Sequence, residues 1–114
     1  MTVQTAITQA DKLRPNKLGD DIKVAWLYEL DAEFAEMMNI DLPGQYDTTT
    51  MLLIPTPYDQ VYPYHIMAQI DLALEEMDRY QIDAISANQR LSQVKAWWRR
   101  NHKPDTRRRF EVMN

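Results

Sequence analysis

The stretch from Asp20 to Asn39, DDIKVAWLYELDAEFAEMMN, decides the fold class. Ile22, Trp26, Leu30, Phe34 and Met38 recur at every fourth position, the spacing that stacks side chains on one face of an α-helix. Lys23, Glu29, Asp31, Glu33 and Glu36 take the remaining positions, so the helix is expected to be amphipathic and packed on one side only. Gly19, followed by Asp20 and Asp21, marks its start, and Asn39 its stop.

Three more segments carry helical spacing. One runs from about Thr2 to Leu13 with Val3, Ile7 and Ala10 on a face, and it ends before Arg14-Pro15 because proline restricts the residue preceding it. Another begins near Asp59, read as its N-cap, tolerates Pro63 near its first turn, and carries Ile66, Ile70, Ala73 and Met77 as far as Arg79. The last spans about Gln81 to Asn101 with Ala84, Ala87, Leu91, Val94 and Trp98 aligned. So short a connection makes these two an antiparallel hairpin. Only two glycines in 114 residues agree with a mostly helical chain.

Between Asn39 and Tyr58 the helical pattern breaks. Pro43-Gly44 marks a turn, Thr48-Thr49-Thr50 is β-prone, and Pro55-Thr56-Pro57 reads as a rigid extended piece. Met51-Leu52-Leu53-Ile54 is expected to be a short strand, for which a neighbouring copy of the chain would supply the partner backbone, or an extended segment lying across the helices. The architecture expected is a mostly α, small four-helix bundle over residues 1–101, with a long central loop and an extended basic arm over residues 102–114.

Charge divides the chain unevenly. Residues 1–94 hold six basic and fifteen acidic side chains, a net −9, whereas residues 95–114 hold seven and two, a net +5. Such an arm suits phosphate, an acidic protein surface or the chain's own acidic body.

The inventory of reactive groups is thin. Without cysteine there is no disulfide scaffold, thiolate metal site or cysteine nucleophile. His65 and His102 each lack a second histidine at i+3 or i+4, and Asp71, Glu75 and Asp78, read as one helical face, lack the glycine of a calcium loop. Two glycines cannot build a phosphate cradle, and Ser86 and Ser92 lie within a helix, away from any strand-to-helix elbow. The expectation is a protein that acts by binding, with no catalytic residue, metal or cofactor. The longest apolar runs, Val24 to Tyr28 and Met51 to Ile54, are far below the roughly 20 residues of a membrane span. Met1 to Thr5 has no signal-peptide character, so a chain made and kept in the cytoplasm is expected.

Two groups are candidates for contact. Trp97, Trp98, Arg99, Arg100, Arg107, Arg108, Arg109 and Phe110 form an aromatic and basic arm, with Trp98 expected on the buried stripe and Trp97 at its edge. Met51, Leu52, Leu53, Ile54 and Tyr58 form an apolar loop. The arginine run also permits salt-sensitive, sequence-independent nucleic-acid binding, which makes a nucleic-acid accessory protein the alternative reading.

Pro57-Tyr58-Asp59-Gln60-Val61-Tyr62, Tyr64, Ala68-Gln69-Ile70-Asp71, Glu75-Glu76, Asp78-Arg79-Tyr80, Asn88 and Trp97-Trp98 resemble the small head-tail connector, or head-completion, proteins of tailed bacteriophages and Gram-positive prophages. Asp20 to Leu27 and Glu29-Leu30 look similar too. The family commonly has a glycine before the glutamate in mid-hairpin, where this chain has Leu74-Glu75-Glu76, and its basic extension is usually shorter. The resemblance implies a virion subunit, made in the bacterial host, that forms a dodecameric ring under the portal protein. The ring would extend the channel for genomic DNA without sequence-specific binding and would receive the next connector or tail protein. It would place the basic arm against the portal and the loop from Asn39 to Pro57 at subunit contacts or on the channel.

Overall fold

A computed structural model describes residues 1–102, which form four α-helices: α1 (Val3–Leu13), α2 (Asp20–Met38), α3 (Val61–Ala73) and α4 (Met77–Asn101). A short 3-10 turn, Tyr58–Gln60, precedes α3. The small, mostly α-helical architecture expected from the sequence is therefore present. Lys103 onward, including Arg107, Arg108, Arg109 and Phe110, lies outside the described residues.

The face that α2 buries differs from the one its apolar spacing suggests. At 3.6 residues per turn, each four-residue step overshoots by about 40°, so a row from Ile22 to Met38 winds roughly 160° around the helix. Packing instead takes Lys23, Leu27, Leu30, Asp31, Phe34 and Ala35 inward, leaving Ile22 exposed and Trp26 and Met38 half-buried. Lys23 and Asp31, expected in solvent, are thus core residues. Lys23 Nζ reaches Asp11 at 2.9 Å, joining α2 to α1. At the far end Asn39 takes the left-handed conformation, φ 56°, and ends the helix as anticipated.

Asp31 organises the long loop. Its carboxylate accepts hydrogen bonds from the hydroxyls of Tyr62 (2.5 Å) and Tyr46 (2.8 Å) and from the Leu53 N–H (3.2 Å). Tyr62 Oη also accepts from the Ile54 N–H at 2.9 Å. Burial raises the Asp31 pKa above the ordinary carboxylate value, against the three hydrogen bonds that lower it. Phe34 meets the Tyr62 ring edge-on, at 6.1 Å and 86°.

The loop finds its backbone partner within the chain, not in a neighbouring copy. Met51 forms an isolated antiparallel bridge with Thr2, the Leu52 N–H donates to Met1 O at 3.0 Å, and the Val3 N–H donates to Thr50 O at 2.9 Å. Leu52 and Ile54 consequently enter the core beside Val3 and Ile7. Pro55-Thr56-Pro57 is a turn closed by the Tyr58 N–H on Pro55 O at 2.9 Å, not an extended piece. Asp59 is no N-cap. Buried within the 3-10 turn, it accepts from the Thr56 hydroxyl at 3.0 Å.

α3 and α4 form the expected antiparallel hairpin, with a different corner. α3 stops at Ala73, Glu75 adopts φ 58°, and the Glu76 N–H donates back to Asp71 O at 2.9 Å. Met77 therefore begins α4, and Ala73 and Met77 are exposed, outside any α3 stripe. Asp71, Glu75 and Asp78 sit on a helix end, a turn and a new helix, so they form no shared acidic face.

Candidate functional site

The hairpin brings the start of α3 beside the end of α4, and this juxtaposition unites parts of both candidate groups. Tyr58, from the loop, stacks on Trp97 with ring centroids 5.3 Å apart and planes inclined by 26°. Arg100 Nη2 donates to the Tyr58 hydroxyl at 3.2 Å, and Trp98 lies flat on His102 at 3.5 Å. Arg99 and Arg100, in the last turn of α4, face solvent where cations also complement the helix dipole. Nearly three turns further back, Arg90 covers the Tyr64 ring at 4.1 Å.

Both tryptophans are half-buried: Trp97 lies at the edge of the core as expected, but Trp98 is not part of the buried stripe. Trp97 packs against the core, whereas Trp98 lines an open groove of about 420 Å³ between α2 and α4. The difference follows from Val94, which is fully buried: positions 97 and 98 flank it at similar angles, and Tyr58 supplies a stacking partner on the Trp97 side alone. Phe34, Met37 and Leu91 complete the apolar wall of the groove. Glu33 and Glu36 border it from α2, and Lys95 and Arg99 from α4. Of the apolar loop, Met51 is exposed, Leu53 and Tyr58 are half-buried, and Leu52 and Ile54 are turned into their own chain's core.

A second polar assembly lies at the opposite end of the hairpin. Arg14, just past α1, grips Asp83 of α4 through two hydrogen bonds of 2.9 Å and approaches Asp71 of α3 at 3.6 Å. Both carboxylates are almost fully buried, and Asp71 Oδ2 has no hydrogen-bond partner among the described residues. Burial first, then the neighbouring Asp83 carboxylate, push the Asp71 pKa up to about 7 against the pull of Arg14 and Arg79. His65, half-buried on α3, is lowered to about 4 by burial. The sequence reading missed this assembly. Its only local trace is an aspartate in phase with the buried positions of each hairpin helix, Asp71 beside Ile70 and Asp83 eleven residues before Val94.

Among the described residues no group of three or more histidine, aspartate or glutamate side chains is placed to hold a metal ion, and no helix is long and apolar enough to cross a membrane. Fold and surface together define a small α-helical protein with an acidic α2 face and an aromatic, basic end on α4. Comparison of the chain with protein-family models, curated proteins and solved structures returns no match.

Proposed function

We propose that this chain is a small head-tail connector of a tailed phage or prophage, a virion component that works by binding, without catalysis or cofactor. Copies assemble as a ring beneath the portal, extend the DNA channel and offer a surface to the next connector or tail protein. The observation that carries this reading is the clustering of Tyr58, Trp97, Trp98, Arg99 and Arg100 at the end of α4, where the chain continues into its basic arm. Aromatic and arginine side chains together are the usual anchors of a protein interface. The exposed Glu29, Glu33 and Glu36 of α2 give the body the opposite sign, which in a channel repels the DNA backbone and lets it slide.

The test is co-sedimentation with portal rings of the same phage, comparing the full chain with one ending at Asn101 and with R99E/R100E. Retention of the full chain and loss of both variants is the expected result. If no form binds the portal, the connector reading falls. Binding to DNA that weakens steeply with salt would put the nucleic-acid accessory role in its place.

A further inference from the structure

α4 is the longest helix, 25 residues, and it packs on α3 and the 3-10 turn with one side only. Its outer face has an unusual charge plan. From Gln81 to Gln93 no exposed residue is charged: Asp83 is turned inward onto Arg14, and Arg90 is turned onto Tyr64. What this stretch exposes is Ile82 (66%) and Ile85 (61%) among uncharged polar residues, Ser92 included. Exposed α2 residues, by contrast, are mainly aspartate and glutamate. Charges return on the outer face of α4 at its two ends, with Asp78 ten residues before Asn88 and Arg99 ten residues after Gln89.

This plan is self-complementary about a point between Asn88 and Gln89. Laid antiparallel on a copy of itself, the helix sets Asp78 opposite Arg99 twice, Ile85 opposite the smaller Ser92 twice, and Gln81 opposite Ala96. The positions 78, 81, 85, 89, 92, 96 and 99 step by threes and fours, the spacing of a helix–helix seam. Antiparallel pairing also opposes the two helix dipoles. An isologous contact requires this kind of self-matching surface, and a neutral centre lets two acidic bodies approach.

We propose that the outer face of α4 binds a second copy of this chain, antiparallel and two-fold, with Ile85 packed on Ser92 and Asp78 paired with Arg99 of the partner subunit. A two-fold contact closes on itself, so it describes the free chain and not a ring, which needs a head-to-tail interface. The proposal goes beyond the connector reading and does not rest on it. A contact one helix wide falls below the roughly 1,200–2,000 Å² that stable complexes bury, so the dimer is expected to be weak and concentration-dependent.

Sedimentation velocity of the full chain, without portal, across a wide concentration range tests it. A monomer–dimer equilibrium is expected. I85D, at an exposed position and with its fold checked by circular dichroism, should weaken it at least about tenfold by placing a charge in the neutral centre. D78R and R99D should each weaken it, and D78R/R99D should restore it. Because the native chain has no cysteine, I85C mixed with S92C should give a crossed disulfide dimer, which reports the register. A chain that stays monomeric, or a dimer indifferent to I85D, overturns the proposal. So does a dimer abolished by ending the chain at His102, because residues 103–114 would then carry the contact.

Discussion

Replacing His65 by glutamine and, separately, Asp71 by asparagine should tilt the stability of this chain with pH in opposite directions. The Asp71 carboxyl, raised to about 7, keeps its proton in the folded chain where the unfolded chain has lost it above about pH 4. Its contribution is therefore complete at low pH and is lost as pH rises through about 7. His65, lowered to about 4, is neutral in the folded chain while the unfolded chain still holds the proton below about pH 6.5. Its contribution is complete above that pH and is lost on acidification. Near pH 5.5 each group changes stability by about 1.4 kcal/mol per pH unit, with opposite sign, so between about pH 4.5 and 6.5 the two slopes nearly cancel. In the wild-type chain these two groups should together leave stability almost indifferent to pH across that window, with the raised Asp31 carboxyl adding to the Asp71 slope. D71N, which keeps the shape and removes the titration, should lose about 2 to 3 kcal/mol on acidification across it, and H65Q should gain a similar amount. Urea denaturation at three pH values, followed by tryptophan fluorescence, measures this. Slopes of the same sign in D71N and H65Q, or slopes unchanged from wild type, would refute the assignment of these two opposed groups.

Other expectations follow from single contacts. E75G should raise stability by about 1 kcal/mol and the Tm by several degrees, because a non-glycine residue at φ 58° pays a steric cost that glycine avoids; N39G should gain less, since asparagine tolerates this conformation. A calorimetric scan in which E75G melts no higher than wild type would count against that corner. Y62F removes a donor to Asp31 and the acceptor of the Ile54 N–H together, and should cost about 3 kcal/mol in urea titration, roughly twice Y46F, which removes one bond. Equal losses would mean that Tyr62 does not bridge loop and helix. In the connector role, E33K/E36K should slow DNA ejection from assembled virions by making the acidic face of α2 adhesive, and unchanged ejection would dismiss an acidic channel lining.

The basic and aromatic residues of the candidate surface are plain in the sequence, and so is the hairpin that gathers Tyr58 with Trp97. Their individual roles are not. Trp97 and Trp98 flank Val94 almost symmetrically, so helical phase alone cannot choose between them, and a tyrosine 39 positions earlier makes the choice. Leu52 and Ile54 read equally well as contacts to another copy or to the chain's own core, and the bridge from Met51 to Thr2 sends them inward.

Four helices, the stop at Asn39, the antiparallel hairpin and the separation of acidic residues 1–94 from basic residues 95–114 are all legible in the residue order. Each follows from chain geometry acting within a turn or two: backbone preferences at proline and asparagine, short connections and residue spacing. Where α3 ends, which face α2 buries, and the placement of Lys23, Asp31, Asp71 and Asp83 inside emerge only from long-range packing. Those outcomes depend on partners far along the chain. Arg14 meets Asp83 across 69 positions and Asp31 meets Tyr62 across 31, and a buried charge is tolerable only because such a partner arrives to satisfy it.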